Sequence, residues 1–384
     1  MNFKKIATTA ALVMVASLIP FGGGMASAAP SKTLTVDDNK VECRNAQYTT
    51  IQAAVTAAGP GDTIKVCPGT YVEQVIIPAS KNGLKLRSER KEAAIIKAPA
   101  VMVDEKAIVR VSGATGVTIE SFTISGPGGG PCDSIRYGVR VDGGGSASIL
   151  DNHITMIRDT PFSGCQNGIG VLAGRFSEGQ VGSATIERNT IDEYQKGGVV
   201  ISGPGSTGDV GHNTIIGVGP TATIAQNGVQ ISGDATGEVH HNDISDNIYS
   251  PQTFASAGVL LFDPGVVSVS NNSLANNDES IYVIDTAGAV VSHNDITGST
   301  FDGIGLDNAD NNTISHNTVS DSGYDGIYVF STSTGNDFEH NRLYDNAEHD
   351  AHDESVGTGT GGTANTWEHN NCTTDNRGGA LCGN

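Results

Sequence analysis

Short segments with alternating apolar residues recur along most of the chain. Typical copies read YGVRV, GGVVI, NGVQI, DGIGL and DGIYV. Alternation with a period of two indicates β-strands with one buried face. The predicted inward pairs are Val139/Val141, Ile169/Val171, Val199/Ile201, Val229/Ile231, Val259/Leu261, Ile281/Val283, Ile304/Leu306 and Ile327/Val329. Strands this short cannot bury a face alone, so the pattern favours coils that stack on one another.

A recurring asparagine marks the turns between these strands. In most copies an apolar residue follows two positions later, and the intervals between copies range from 22 to 37 residues. The copies are Asn152, Asn189, Asn213, Asn242, Asn272, Asn294, Asn317, Asn341 and Asn370. A constant minimal repeat with scattered insertions predicts a solenoid in which the insertions form loops. We expect the asparagines to stack in a ladder at a turn, where this residue type can tolerate a left-handed backbone.

The N-terminal stretch YTTIQAAVTAAGPGDTIKVCPGTYVEQVII resembles the opening of pectin methylesterases and of many secreted β-helix proteins. With the repeats, it makes the chain similar to the right-handed parallel β-helix proteins of the pectin-lyase-like superfamily, from about Thr33 to Cys382. This resemblance implies an all-β, right-handed parallel β-helix solenoid that forms a single domain over residues 29–384. It also implies an N-terminal α-helical cap at about residues 45–60 and a C-terminal disulfide cap at about residues 365–384.

The first residues have the features of an export signal. Two lysines precede the apolar stretch from Ile6 to Ile19, and Ala26-Ser27-Ala28 is typical of a cleavage site. We therefore interpret residues 1–28 as a signal peptide and the protein as secreted and extracellular. Six cysteines in an exported chain favour disulfides. Their positions predict the pairs Cys43–Cys67, Cys132–Cys165 and Cys372–Cys382.

Composition narrows the classes of partner. Fifty glycines and only 5% aromatic residues suit many short strands joined by turns. A net charge of −20 argues against binding to nucleic acid or to an anionic membrane. After the N-terminal stretch, no segment is long and apolar enough to span a bilayer. A polyanionic substrate would need a local basic patch or a bridging cation.

Function has to be argued from side chains that point away from the core. One outward position lies between the two inward residues of each repeat. This column reads Arg110, Arg140, Gly170, Val200, Gln230, Leu260, Tyr282, Gly305, Tyr328 and His352. Its middle offers no chemistry, so both ends of the column carry the candidate sites.

Polar residues cluster at the C-terminal end of this face. We expect Tyr328 to lie beside His352, and Asp325 to lie between His349 and Asp302, because adjacent strands are about 4.8 Å apart. The candidate catalytic residues are Tyr328, His352, Asp325 and Asp307, with Tyr328 and His352 as the proton-transfer pair. The candidate substrate-binding residues here are Asp302, His349, Tyr282 and Glu354. In the last copy, HDAHD puts Asp353 in an inward position, so this coil either frays or holds a polar site.

At the other end, Arg110 is predicted to stack on Arg140. Two stacked arginines can hold a sugar carboxylate, and we count both as candidate substrate-binding residues. The alternative is an ion pair with Asp142 or with an acidic residue of a loop.

A tyrosine, a histidine and carboxylates near one sugar can abstract and donate a proton at C5 of a uronate. The set resembles in kind the Tyr/His/Asp sites of alginate epimerases and related lyases. It departs from them at Asp263-Pro264-Gly265, where those epimerases have Asp-Pro-His. The leading hypothesis is therefore a uronate polysaccharide lyase or C5-epimerase with an extracellular polysaccharide as its partner. The alternatives are a non-catalytic glycan-binding or surface structural protein, and a glycoside hydrolase. No cofactor is required, although a carboxylate stack can bind Ca²⁺, and no residue is assigned as a metal ligand.

A column of histidines precedes the asparagine ladder. Its members are His212, His241, His293, His316, His340 and His369. One interpretation is a strip that binds metal ions, and the other is a ladder of stacked imidazoles. Rings stacked in parallel do not converge on one ion, which favours the ladder.

Overall fold

The computed structural model describes residues 30–103 and 105–383. The predicted signal peptide lies outside the described residues. Within them the chain winds into stacked coils whose strands form three parallel sheets. A short α-helix, α1 (Ile51–Ala57), and three 3-10 turns (Ala79–Lys81, Phe176–Glu178 and Thr360–Gly362) complete the elements.

The strands are numbered in chain order, and within each sheet they follow one another coil by coil. The first sheet contains β1 (Thr33–Val36), β2 (Thr63–Val66), β5 (Lys85–Ser88), β8 (Val117–Glu120), β11 (Gly145–Leu150), β14 (Gly182–Glu187), β17 (Thr207–Gly211), β20 (Thr236–His240), β23 (Val267–Ser270), β26 (Val290–Ser292), β29 (Thr313–Ser315), β32 (Asp337–Glu339) and β35 (Thr366–Glu368). The second sheet contains β4 (Val75–Pro78), β7 (Ala107–Ser112), β10 (Tyr137–Asp142), β13 (Ile169–Ala173), β16 (Gly197–Ser202), β19 (Asn227–Ser232), β22 (Ala257–Phe262), β25 (Glu279–Ile284), β28 (Ile304–Asp307), β31 (Ile327–Val329) and β34 (Ala351–Asp353). The third sheet contains β3 (Gly69–Val72), β6 (Ala94–Lys97), β9 (Thr123–Ser125), β12 (His153–Thr155), β15 (Thr190–Asp192), β18 (Thr214–Ile216), β21 (Asp243–Ser245), β24 (Ser273–Ala275), β27 (Asp295–Thr297), β30 (Thr318–Ser320) and β33 (Arg342–Tyr344).

The core follows the alternating pattern, with one exception. Pairs such as Val199/Ile201 and Ile327/Val329 are fully buried, as predicted. In β13 the predicted register is wrong by two residues, because Arg140 pairs with Leu172 and not with Gly170. In most coils a glycine lies where a Cβ would strike the next coil, and at Gly170 this Cβ would lie 2.6 Å from the Gly198 carbonyl oxygen. The segment NGIGV contains two glycines, Gly168 and Gly170, and Gly170 is the one at this close contact.

Helix α1 covers the N-terminal end of the solenoid. Thr50 caps the helix, since its side chain accepts a hydrogen bond from the Ala53 backbone N–H. The buried face of the helix, formed by Ile51, Ala54 and Val55, belongs to the same core as the first strands. This arrangement protects the apolar end of the first coil from water.

The asparagine ladder is present at the corner between the first and third sheets. Along the ladder, each side-chain oxygen accepts hydrogen bonds from the backbone N–H and the Nδ2 of the preceding copy, as Asn341 does from Asn317 at 3.0 Å each. The left-handed backbone of this turn falls one residue before the asparagine. The residue before each ladder asparagine has the positive φ, between 54° and 59°, and in six copies this residue is a histidine. The asparagine itself is buried, and its side chain forms the ladder.

Truncation of one ladder residue should strongly destabilise the protein. In Asn317→Ala, the backbone N–H and Nδ2 of Asn294 and the Val291 carbonyl lose their buried partner. We expect a loss of about 3–5 kcal/mol in the free energy of unfolding, measured by chemical denaturation. Replacement of the exposed Asn371 should cost less than about 1 kcal/mol. Equal effects of the two substitutions would contradict the ladder's role.

Asparagine ladders also occupy the other two corners, and the sequence analysis missed them. Asn247 and Asn277 are linked between the third and second sheets. A longer ladder lies between the second and first sheets and contains Asn312, Asn336 and Asn365. These asparagines lie five residues before or after members of the main ladder and keep its intervals. They solve the same problem of buried backbone groups at a sharp corner.

The last coil does not fray, because its inward carboxylate is fully satisfied. Asp353 is completely buried and accepts hydrogen bonds from the Ser355 backbone N–H at 2.9 Å and the Ser355 hydroxyl at 2.6 Å. It also accepts from Asn365 Nδ2 at 3.0 Å and from Trp367 Nε1 at 2.9 Å. The Trp367 ring stacks on Phe338 with the ring centres 4.0 Å apart. This polar anchor closes the C-terminal end.

All three predicted disulfides are confirmed: Cys43–Cys67, Cys132–Cys165 and Cys372–Cys382. In the described part of the chain, no helix is long and apolar enough to cross a membrane.

Candidate functional site

A ladder of carboxylates begins the last strands of the second sheet. Glu279 opens β25, and Asp302 and Asp325 precede β28 and β31. The Asp325 backbone N–H donates to Asp302 Oδ1 at 2.8 Å, and the His349 backbone N–H donates to Asp325 Oδ1 at 2.9 Å. The structure therefore brings Asp302, Asp325 and His349 together, in the predicted order.

Asp325 orients both imidazoles of the last coil. Its Oδ1 lies 3.2 Å from His349 Nδ1, and its Oδ2 lies 2.9 Å from His352 Nδ1. The hydrogen bond to Asp325 raises the pKa of His352 above its ordinary value. Because Nδ1 is used in this bond, Nε2 is the nitrogen that can exchange a proton with a ligand.

Tyr328 lies beside His352, as the register predicted. The two rings pack edge to face with their centres 4.8 Å apart. Burial, and then a hydrogen bond to the Glu354 carboxylate, raise the pKa of Tyr328 above its ordinary value. The phenol therefore remains neutral at physiological pH and is suited to donate a hydrogen bond rather than to abstract a proton.

Two carboxyl groups of the ladder hold protons unusually strongly. Burial, together with the nearby charge of Asp325, raises the pKa of Asp302 to about 7. Burial and the charges of Asp302 and Asp278 raise the pKa of Glu279 well above its usual range. Glu279 Oε2 is buried and has no hydrogen-bond partner among the described residues. Gly305 makes room for this oxygen, since a Cβ there would lie 3.1 Å from it.

Asp302, Asp325, Tyr328 and His352 open into a cavity of about 430 Å³, which we call the C-terminal cleft. It is lined by Phe301, Asp302, Tyr324, Asp325, Tyr328, Phe330, Glu348 and His352. Phe301 and Tyr324 stack with their ring centres 5.7 Å apart, and 40% of Tyr324 is exposed. Such a pair offers an apolar platform beside the acidic groups.

The sequence analysis missed Phe301, Tyr324 and Glu348. A signal was present, because each of these residues directly precedes a member of the column Asp302, Asp325 and His349. The predicted column begins at the strand boundary, whereas the cleft extends one residue into the preceding turn.

Other predicted residues lie at the edge of the cleft or far from it. Glu354 is exposed and reaches the cleft through its bond to Tyr328. Tyr282 and Asp307 contact each other on β25 and β28, outside the cleft lining. Arg110 and Arg140 lie on β7 and β10, and β10 is six strands, or about 29 Å, from β28.

The arginine pair forms internal ion pairs rather than an open binding site. Arg140 is only 1% exposed, and its guanidinium lies 2.6 Å from Asp142, 2.9 Å from Glu105 and 2.8 Å from Glu178. Arg110 lies 3.0 Å from the same Asp142. The alternative of ion pairs with Asp142 and loop acids therefore describes this cluster. The buried guanidinium of Arg140 is not accessible to a sugar carboxylate in this structure.

A larger cavity of about 770 Å³, the central pocket, lies over the middle of the second sheet. Leu172, Val200 and Phe262 line it, with Arg136 and Arg175 at its edge. The sequence predicted no chemistry for the middle of the outward column. The register error at β13 placed a glycine where Leu172 lies. The Cys132–Cys165 disulfide, which belongs to the pocket's rim, was the available signal.

A family model described as a right-handed β-helix region matches residues 227–384. Together with the three parallel sheets, this match decides the class. The chain is a right-handed β-helix protein. The matched segment contains the whole C-terminal cleft.

Solved structures share this β-helix at low sequence identity. The chain is similar to XylC in complex with xylose (14% identity, TM-score 0.58, covering 86% of this chain and 77% of XylC). It is similar to the GH136 lacto-N-biosidase from Eubacterium ramulus (11%, TM-score 0.60, 81% and 63%). It is also similar to the catalytic unit of the GH87 α-1,3-glucanase from Streptomyces thermodiastaticus strain HF3-3 (14%, TM-score 0.55, 84% and 66%). The chain therefore spans less than two thirds of the last two structures, and identities this low establish the fold alone. No curated protein matches the sequence.

We expect the stability of this β-helix protein to depend on pH, because folding raises the pKa of two carboxyl groups in the ladder, Glu279 and Asp302. A carboxyl whose pKa is raised by folding stabilises the folded state below its unfolded pKa of about 4.3, and this contribution is lost as pH rises through the folded pKa. Glu279→Gln keeps the shape of a neutral Glu279 and removes its ionisation. We expect the variant to exceed the wild type by on the order of 1–3 kcal/mol in the free energy of unfolding at pH 8, with little difference at pH 4.

Chemical denaturation at both pH values measures this difference. Glu238→Gln is the matched control, because Glu238 is exposed on the first sheet. A Glu279→Gln variant no more stable than the wild type at pH 8 would show that Glu279 is not a strained acid.

Proposed function

We propose that this β-helix protein is a secreted glycoside hydrolase that cleaves a neutral extracellular polysaccharide in the C-terminal cleft. The observation that carries the proposal is the Asp302 carboxyl, whose pKa of about 7 keeps a proton available at neutral pH. Glycosidases pair one protonated carboxyl with a second carboxylate. Three disulfides, and the predicted signal peptide at residues 1–28, support an extracellular location.

The second carboxylate of the proposed pair is Glu348. It lines the cleft with Asp302, its charge contributes to the raised pKa of Asp302, and its side chain is exposed. Asp325 is less suited to this role, because it is 2% exposed and both of its oxygens bind the last coil's histidines. In this scheme Asp302 protonates the leaving oxygen, Glu348 acts at the anomeric carbon or on a water, and the Asp325–His352 pair positions the sugar hydroxyls.

The charge of the cleft favours a neutral glycan over a polyuronate. Its lining contains three acidic residues and neither lysine nor arginine. A chain of sugar carboxylates would be repelled there unless a cation intervened. The names of the similar structures, which refer to xylose, a lacto-N-biosidase and an α-1,3-glucanase, support a carbohydrate substrate in general terms.

A uronate lyase or C5-epimerase is the second candidate, and the contact between Tyr328 and His352 favours it. That chemistry needs a base and a neutralised substrate carboxylate. The raised pKa of Tyr328 weakens it as a base. Ca²⁺ would have to supply the missing positive charge, yet the two imidazoles beside Asp325 are poor ligands for this hard cation.

The test is digestion of a panel of neutral polysaccharides and polyuronates by the purified protein, with and without Ca²⁺. New reducing ends are measured together with absorbance near 235 nm. Reducing ends from a neutral glycan without an absorbance rise are the expected result. A rise at 235 nm would establish the lyase instead. Binding without any product would leave the glycan-binding alternative as the function.

A further inference from the structure

Three imidazoles converge on the first sheet, away from the second sheet that carries the cleft. His240 ends β20, His241 follows it in the left-handed turn, and His212 lies one coil earlier. The rings of His212 and His241 stack 4.9 Å apart, as in the rest of the column. The ring of His240 stands nearly perpendicular to both, at 84° and 82°. Nitrogen atoms from all three rings lie within 4.8 Å of one another.

Neighbouring residues fix the position of the His240 ring. Its register partner in the preceding coil is Gly211, and a Cβ there would lie 2.3 Å from His240 Cε1. The glycine therefore leaves room for the ring. His240 Nε2 lies 2.9 Å from Asp209 Oδ1. This bond favours the tautomer with its proton on Nε2, so the lone pair of Nδ1 points to the other histidines.

The distance between two of the ring nitrogens fits a shared ion. His240 Nδ1 lies 3.2 Å from His241 Nδ1. Two imidazole nitrogens bound at about 2.0–2.1 Å to one metal ion lie about 2.9–3.4 Å apart, for bond angles from square to tetrahedral. We propose that His212, His240 and His241 bind a late first-row transition-metal ion such as Zn²⁺. Imidazoles suit these ions and are poor ligands for Ca²⁺ or Mg²⁺.

The surrounding charges allow a cation at this place. Asp209 orients His240 and adds a negative charge beside it. Arg188, which precedes His212 in the same turn column, is neutralised by Glu187 at 2.6 Å and Asp151 at 3.3 Å. A bound ion would therefore have the Asp209 carboxylate behind its ligand His240. The positive charge of Arg188 would not oppose the ion strongly, because it is already balanced.

The rest of the histidine column provides an internal control. His293, His316, His340 and His369 stack in the same left-handed turns, with ring centres 4.8–4.9 Å apart. The residues before them are serine or glutamate, so no perpendicular ring joins that stack. If stacked imidazoles alone were sufficient to bind the metal ion, substitution of His316 would weaken binding as much as substitution of His240.

The test is calorimetric titration of the untagged protein with Zn²⁺ at pH 7.5. We expect saturable binding that His240→Ala weakens at least about 100-fold and Asp209→Asn weakens about tenfold, whereas His316→Ala leaves it unchanged. His212→Ala, at an exposed position, provides a second ligand deletion if His240→Ala fails to fold. His352→Ala reports on a second group of possible ligands that contains histidines, Asp325, His349 and His352.

Each remaining outcome would overturn the proposal. Absence of saturable binding to the wild type excludes the site. Unchanged affinity in His240→Ala excludes this histidine group, and equal losses in His316→Ala assign the binding to the stacked column. Loss of binding in His352→Ala alone places the ion in the C-terminal cleft.

Discussion

Replacing Asp302 by asparagine should reduce glycan cleavage by about 10²–10⁴-fold. The substitution keeps the shape of the side chain and its acceptor oxygen for the Asp325 backbone N–H. It removes the proton that leaves with the departing sugar. We expect kcat to fall while the KM for the glycan changes little, because the aromatic platform of Phe301 and Tyr324 is untouched.

The dependence of activity on pH tests the role of Asp302 in a second way. Wild-type activity should decline as the pH rises through about 7, since Asp302 must be protonated and its pKa has that value. In Asp302→Asn this alkaline limb should disappear from the residual activity. Asp285→Asn, at an exposed position directly after β25, is the control and should retain full activity with the same profile. An unchanged rate in Asp302→Asn would remove Asp302 from the reaction.

Asp353→Ala should be the most damaging substitution for stability at the C-terminal end. It leaves Trp367 Nε1, Asn365 Nδ2 and the Ser355 hydroxyl without their buried acceptor. We expect a loss of about 3–5 kcal/mol in the free energy of unfolding. Because coils are stabilised by their neighbours, the last coils should open first, and the C-terminal cleft is built from them.

Hydrogen exchange on the intact protein measures this local opening. Backbone amides of β31, β34 and β35 should lose protection in Asp353→Ala before those of β10 or β13. Glu368→Ala is the matched control, because Glu368 is an exposed carboxylate on β35. Uniform loss of protection along the whole solenoid would contradict the idea of a local anchor.

The repeat made much of the fold predictable from the sequence. Alternating pairs such as Ile304/Leu306 and Ile327/Val329 define which face is buried, and aligning the same motif from coil to coil then fixes the register. For this reason Tyr328 was correctly placed beside His352, and Asp325 between Asp302 and His349. The cysteine pairs followed from the same logic, because each pair lies on neighbouring coils or within one loop.

The errors come from interactions that a repeat pattern does not encode. Two glycines in NGIGV gave two possible registers, and the close approach to Gly198 selects one of them. Arg140 faces outward from the core, yet Glu105 and Glu178 from neighbouring segments cover it. The high pKa of Asp302 depends on burial and on the charge of Asp325, which only the folded arrangement supplies.

The most direct test of the account is a crystal structure of Asp302→Asn with an oligosaccharide of the glycan that the wild type cleaves or binds. We predict a sugar ring against Phe301 and Tyr324 in the C-terminal cleft, with a glycosidic oxygen within hydrogen-bond distance of residue 302. An oligosaccharide bound only in the central pocket, beside Arg136 and Arg175, would contradict the assignment of the site.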